Sequence, residues 1–157
     1  MNGELRTGWY DGDRQALRAL FEEAEDSSAQ LDAYVDDGRV LVTWLGDDPV
    51  GHLQLVESGR PGEVELKNMA VVDRLRGQGV GRGLVEAAIR ASHAGGHRRM
   101  VVTTATADTG NLRFYQRCGF RFSRIERDFF GPETGYPDEV VIDGIPLRDR
   151  VWLDREL

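Results

Sequence analysis

Val64-Glu65-Leu66-Lys67-Asn68-Met69-Ala70-Val71-Val72-Asp73-Arg74-Leu75-Arg76-Gly77-Gln78-Gly79-Val80-Gly81-Arg82-Gly83 reads as a strand, a glycine turn and the start of a helix. Apolar and polar residues mix over Val64 to Val72, with two apolar neighbours at the end, which suits a strand buried on at least one face. Beyond the glycines, Val80, Leu84, Val85, Ala88 and Ile89 recur at helical spacing, so a helix runs on toward Ala94. A helix that begins inside a glycine turn leaves its first backbone N–H groups without intrahelical partners, and its dipole favours an anion over them. Arg76 and Arg82 flank the turn, so a phosphate group is the expected guest.

The glycines at 77, 79, 81 and 83 alternate strictly, and Arg82 takes the sixth place counted from Gly77. The window is therefore neither G-x-x-x-x-G-K-[ST] nor G-x-G-x-x-G, which disfavours a nucleotide-hydrolysing P-loop and a dinucleotide fold. Instead Arg76-Gly77-Gln78-Gly79-Val80-Gly81 resembles the Arg-x-x-Gly-x-Gly signature of the GCN5-related N-acetyltransferases (GNAT family), with the strand Leu66 to Val71 ahead of it. Further on, Asn111-Leu112-Arg113-Phe114-Tyr115-Gln116-Arg117-Cys118-Gly119-Phe120 resembles a second stretch of that family, with its Asn, Tyr, Gly and Phe in register. The resemblance covers the chain from about Arg39 onward and is strongest between Val64 and Phe120. It implies an α/β fold in one N-acetyltransferase domain over residues 1–157: a mixed, mostly antiparallel sheet with a central parallel βαβ unit and flanking helices. The activity it implies is transfer of acetyl from acetyl-coenzyme A, as co-substrate, to a primary amine by direct attack in a ternary complex.

A chain of 157 residues is large enough to bury roughly 68 to 70% of its unfolded surface as one domain. Its single cysteine, Cys118, excludes an internal disulfide and a multi-cysteine metal site, and no metal is expected. No positively charged apolar leader is seen and no apolar run nears the ~18 residues of a membrane span, so a cytoplasmic location is expected. A net charge of −7 argues against general affinity for nucleic acid or anionic lipid. An acidic protein that binds a polyanionic cofactor must do so through local geometry, which a helix N-terminus between two arginines supplies.

The other elements follow from periodicity and turn chemistry. A short strand is expected around Leu5 to Trp9, then an amphipathic helix from Arg14 to near Asp26 with Ala16, Leu17, Leu20, Phe21 and Ala24 on one face. Ser27 or Ser28 caps a second short helix carrying Leu31, Tyr34 and Val35, which Asp37-Gly38 ends. Arg39 to Leu45 and Val50 to Glu57 form a hairpin around Gly46-Asp47-Asp48-Pro49. Met100 to Thr104, lying after the crossover helix that Gly95-Gly96 stops, is a strand parallel to the one at Val64. A helix spans about Thr109 to Arg117, capped by Asp108 or Thr109. Phe120 to Arg127 alternates with a slip near Arg124, which predicts a strand with a bulge. Phe129 to Pro146 is irregular and long enough for a lid or specificity loop, and Arg148 to Leu153 is a terminal strand.

Asn111 and Tyr115 stand four apart, so on a helix they share a face and can act on one ligand. An amide offers donor and acceptor to the amides of pantetheine, and a phenol, protonated at neutral pH, can donate to a departing thiolate. Tyr115 is therefore the expected general acid; the other reading is a core tyrosine packed behind Phe114. An amine acceptor must also lose a proton before it can attack. Glu65 is the candidate base, standing where some members of the resembled family carry a catalytic glutamate; Glu63, on the same strand face, is the second candidate. The resemblance further implies that Met69, Ala70 and Val71 polarise the thioester carbonyl through backbone N–H. By the same resemblance, Arg76, Gly77, Gln78, Gly79, Val80, Gly81 and Arg82 hold the pyrophosphate, and Asn111 holds pantetheine.

Cys118 reads as a small buried hydrophobe, His52 as a hairpin surface or core residue, and His93 and His97, separated by Gly95-Gly96, as no metal pair. Carboxylates cluster at Glu22, Glu23, Glu25, Asp26, Asp32, Asp36 and Asp37 and again at Asp128, Glu133, Asp138, Glu139 and Asp143. The resemblance places both regions beside the acceptor groove. There they would steer a cationic amine, or they form a solvated acidic surface, while Phe129, Phe130 and Tyr136 offer an aromatic wall for a less charged acceptor. Two other functions stay open at the level of sequence: a non-catalytic acyl-coenzyme A sensor or partner-binding module, and transfer of a longer acyl group. A monomer and a homodimer paired through the strand ending in Trp152-Leu153 are both compatible with the sequence.

Overall fold

The computed structural model describes residues 3–157. Strand β1 (Leu5–Tyr10) opens the fold, and helices α1 (Arg18–Ala24) and α2 (Ser28–Tyr34) follow. Strands β2 (Arg39–Leu45), β3 (Asp48–Glu57) and β4 (Glu63–Val71) form an antiparallel meander. Helix α3 (Val80–Ala94) crosses to β5 (Arg99–Ala105), and α4 (Thr109–Arg117) leads to β6 (Arg121–Glu126). A small hairpin of β7 (Val141–Ile142) and β8 (Ile145–Pro146) precedes β9 (Arg150–Glu156). The main sheet has the order β1-β2-β3-β4-β5-β9-β6, antiparallel throughout except for the parallel pair β4 and β5.

Alternation along the strands sends side chains into two cores, one on each face of the sheet. Leu41, Leu53, Leu55, Val64 and Leu66 pack under α3 and α4, where Val80, Leu84, Val85, Ala88 and Tyr115 close the layer. Val40 and Val42 face the other way, onto Leu17, Leu20, Phe21, Leu31 and Tyr34 of the first helices. The expected mixed, mostly antiparallel sheet with its central parallel pair is therefore present.

Several boundaries differ from the sequence reading, each for a local reason. The first helix is split: Arg14–Leu17 is a 3₁₀ turn capped by Asp13, and the α-helix begins only at Arg18. Arg14 donates to the carbonyls of Val35, Asp37 and Gly38, which ties that first turn to the end of α2. The helix stops at Ala24 rather than near Asp26 because Glu25 is extended, with its carboxylate drawn into contacts described below. Asp108 caps α4 and Ser27 caps α2. The foreseen slip in β6 is a bulge between Phe122 and Arg124. Strand β9 is longer than expected and lies inside the sheet, bonded to β5 on one edge and β6 on the other. A dimer formed by pairing through that strand is accordingly ruled out, since neither of its edges is free.

A second irregularity sits at the centre. β3 and β4 slip register between Gln54 and Leu55, so that Lys67 has no partner opposite it. An extra residue reverses the alternation beyond it. Val64 and Leu66 point toward α3, whereas after the bulge it is Met69 and Val71 that pack on that side, and Asn68 turns to the α1 and α2 face.

Candidate active site

β4 and β5 are hydrogen-bonded only from Glu63 opposite Arg99 to Leu66 opposite Val102. Past that point the bulge at Lys67 parts them, and a cleft of about 840 Å³ opens between Lys67 to Val71 on one side and Thr103 to Ala105 on the other. The Val72 N–H is bonded to Val50 on β3, so the two-residue period turns the N–H groups of Met69 and Val71 toward the open side. They are fixed donors at the fork of the sheet, placed to bind a carbonyl oxygen.

One end of the cleft is the glycine turn. Gly77 and Gly79 have φ of +77° and +86°, a backbone region that a side chain strains, and Gly79 is the residue from which α3 starts. An ideal Cβ at either position would meet nothing within 4 Å, so the turn faces open space. At Gly81 the same Cβ would lie 3.3 Å from the Phe114 ring, so here the need is for room between α3 and α4. Gly77, Gly79, Gly81 and the side chains of Arg76 and Arg82 line the cleft, whereas Gln78 points back to the Arg74 carbonyl and Val80 is buried in the core. Arg76 is itself braced, donating to the Val71 carbonyl and pairing with Asp73 and Glu23, so it also pins the end of β4 to α1. Unpaired helix N–H groups beside Arg82 and Arg117 suit the pyrophosphate of a coenzyme A thioester.

In the middle of the cleft stand Asn111 and Tyr115, both on α4. Asn111 is exposed and bonded to Thr104 on β5, 3.3 Å away. Tyr115 is 5% exposed and packed edge-on against Phe114 and Phe120, as the core reading has it, and it also lines the cleft, which is the position an acid would need. Burial holds its phenol above the ordinary range, so it keeps its proton. Cys118 lies at the end of the same helix, buried, with its thiol also pushed up by burial.

The two sheet carboxylates are placed differently. Glu63 is held by Arg99, which also pairs with Asp154, so it serves the structure of the sheet. Glu65 sits where β4 is still paired on both edges, half-buried, and is not among the cleft-lining residues.

The other end of the cleft is built from Glu25, Tyr34, Lys67, Asn68, Phe129, Phe130 and Tyr136. A hydrogen-bond chain runs into it from the core. Fully buried His52 meets Asn68 Oδ1 at 2.7 Å, and Asn68 donates to the Tyr34 hydroxyl at 2.9 Å. Tyr34 donates to Glu25 Oε1 at 3.0 Å, and Tyr136 donates to Glu25 Oε2 at 2.6 Å. Burial raises both phenols, with the Asn68 bond partly offsetting this at Tyr34, so both remain donors. Burial also lowers His52 to about 4, leaving it neutral; it is a core residue. Through Tyr136, and through Gln30 donating to the Thr134 carbonyl, the segment after Phe129 is fastened to the α1–α2 corner. The aromatic wall is legible in the sequence; Tyr34, Lys67 and Asn68 are not, because polar residues recur along β4 and nothing local marks Asn68 as one that turns inward.

Comparison with known proteins fits this layout. The family described as Acetyltransferase (GNAT) family matches residues 6–120. An uncharacterized N-acetyltransferase of Bacillus subtilis (strain 168), YvbK, is 34% identical over 153 residues, covering 96% of this chain and 97% of that protein. A Bacillus subtilis acetyltransferase solved in complex with CoA has a TM-score of 0.88 at 32% identity, covering 98% of this chain and 99% of its own. A GNAT family acetyltransferase from Elizabethkingia anophelis with acetyl-CoA bound gives 0.88 at 25% identity, covering 98% of each chain.

Proposed function

Since this chain belongs to the acetyltransferase (GNAT) family and is an acetyl-CoA-dependent N-acetyltransferase, we propose that residues 1–157 act as one unit that acetylates a primary amine by direct attack in a ternary complex. The observation that carries the proposal is the fork between β4 and β5, which joins the glycine turn, Tyr115 and the aromatic end in one cleft.

The thioester supplies an activated acetyl carbonyl. The glycine turn and the first N–H groups of α3 bind the pyrophosphate with Arg82, and Asn111 orients pantetheine along α4. The N–H groups of Met69 and Val71 donate to the carbonyl oxygen as negative charge develops there. Glu65, set behind the cleft wall, takes the first proton of the acceptor ammonium through water, and the freed lone pair forms the N–C bond. As the C–S bond breaks, Tyr115 gives its phenol proton to the sulfur. The second nitrogen proton, released as the amide forms, returns the phenol to its neutral state. One proton in total leaves to solvent by way of Glu65. Replacing Glu65 by Gln, assayed as thiol release against pH, separates this route from one in which water alone serves.

The test of the whole reading is a thermal melt with and without acetyl-CoA, repeated for Gly79→Asp. Ligand at about 100 times its dissociation constant adds roughly 2.7 kcal/mol, which for a domain of this size raises the midpoint by about 5 to 11 °C. Asp at Gly79 strains a backbone held at φ +86° and sets a negative charge at the phosphate end, so the shift should vanish while the variant still melts cooperatively. No shift in the wild-type protein rejects the proposal.

A further inference from the structure

Two opposite charges meet on one ring at the acceptor end of the cleft. Glu25 accepts from the Tyr34 hydroxyl at 3.0 Å, while Lys67 Nζ lies 4.7 Å from the centre of the same ring. Glu25 is fixed on both oxygens, by Tyr34 on one and by Tyr136 and the Ser27 N–H on the other, yet a carboxylate has further lone pairs to offer. Lys67 projects from the bulge that opens the cleft, is exposed, and pairs with no carboxylate among the described residues. Facing them is a wall of Phe129, Phe130 and Tyr136, with ring centres 4.9 to 6.5 Å apart.

We propose that the acceptor is a free α-amino acid with an apolar, preferably aromatic side chain: its ammonium on Glu25, its carboxylate on Lys67, its side chain against Phe129, Phe130 and Tyr136. The inference rests on the acetyl-transfer reading above and names the substrate class of that site.

The charges around the site favour this class over others. A polyamine needs a row of free carboxylates, but of the acidic side chains that line this end of the cleft Glu23 pairs with Arg76, which leaves only Asp26 beside Glu25 among the described residues. A simple amine would set its ammonium near Lys67 with nothing to offset the repulsion. A carboxylate one carbon from the ammonium turns that repulsion into a second contact, and an α-amino acid is the smallest molecule that carries both signs so close together. Arg150, which also lines the cleft, is charge-balanced by Glu126 and stacked 3.5 Å over Phe129, with its buried Nε left unpartnered.

The experiment measures acetyl-CoA-dependent thiol release with L-phenylalanine, L-phenylalaninamide and spermidine. The amide keeps the amine and the ring, removes the carboxylate, and stands in for a peptide N-terminus. L-phenylalanine should exceed the amide in kcat/KM by about 10- to 100-fold, the usual worth of one charged hydrogen bond, with spermidine below both. Lys67→Met should abolish that ratio by lowering the L-phenylalanine value alone. Glu25→Gln should raise the KM for L-phenylalanine at an unchanged KM for acetyl-CoA, and Glu25→Asp should restore part of the loss. Equal use of the amide, preference for spermidine, a ratio that survives Lys67→Met, or no acetylation by a protein whose melt still responds to acetyl-CoA would each overturn the inference and leave the family reading standing. A melt that does not respond would overturn that reading and this inference with it.

Discussion

Tyr115 is buried among Phe114 and Phe120 and still reaches the cleft, so in the proposed mechanism one side chain serves both the core and the chemistry. Removing only its oxygen separates the two duties. Tyr115→Phe keeps the packing and should lower kcat by about 100-fold or more, the scale of general acid catalysis, at little change in the KM for acetyl-CoA. Unchanged turnover would show that the thiolate takes its proton elsewhere. This residue and its neighbours were legible in the sequence because a local rule fixes them: Asp108 caps the helix, and on one face beyond it come the amide of Asn111 and, four residues later, the phenol. The same holds at Gly79, where the backbone conformation itself selects the amino acid. Glu25 was visible only as one of many acidic residues. What sets it apart, two phenols from elements far away in sequence, is a product of tertiary structure.

At the scale of elements, the segment from Phe129 to Pro146 was foreseen as a lid or specificity loop without internal order. In the structure it holds a 3₁₀ turn at Pro132–Thr134 and the β7–β8 hairpin. Its ties to the rest of the molecule include the Tyr136 hydroxyl on Glu25 and the Thr134 carbonyl to Gln30. Tyr136→Phe removes the first of these, a bond to a carboxylate. Amide exchange at Phe130, Tyr136 and Leu147, whose N–H groups bond within or beside this segment, should then quicken on the order of tenfold, with β3 unaffected. Equal exchange in both proteins would mean that Tyr136 does not hold the segment. The bulge at Lys67 was not read from sequence either, although its trace is there: apolar residues fall on even numbers at Val64 and Leu66 and on odd numbers at Met69 and Val71. A strand reading that tolerates mixed residues passes over such a shift, and here the shift is what forks the sheet.

For the molecule as a whole, His52 couples stability to pH. Burial depresses its folded pKa from 6.5 to about 4, so between those values the unfolded chain binds the proton more readily than the folded one. The stability contributed by the neutral ring is thus complete above pH 6.5 and is lost as pH falls toward 4, to a total of about 3 kcal/mol. Urea unfolding from pH 7 to 4.5 should show that slope, and His52→Gln, which keeps a donor for Asn68, should flatten it. A variant with the wild-type slope would place the acid sensitivity in other groups. The seven-strand order was the part of the whole least open to sequence, because pairing between distant segments leaves no local mark. The strand at Arg150 was recognisable as a strand, but nothing in its own residues says that it enters between β5 and β6.

That entry orders events in time on a growing chain. β5 and β6 are both made before β9, the strand that joins them. Until β9 emerges and inserts, β6 has no partner for either edge, and Phe122 and Ile125, 54% and 63% exposed even in the finished fold, have still less cover. Unpaired strand edges of this kind are where nascent chains associate wrongly. Arg121, Arg124 and Arg127 along that stretch set like charges against a second copy during the wait.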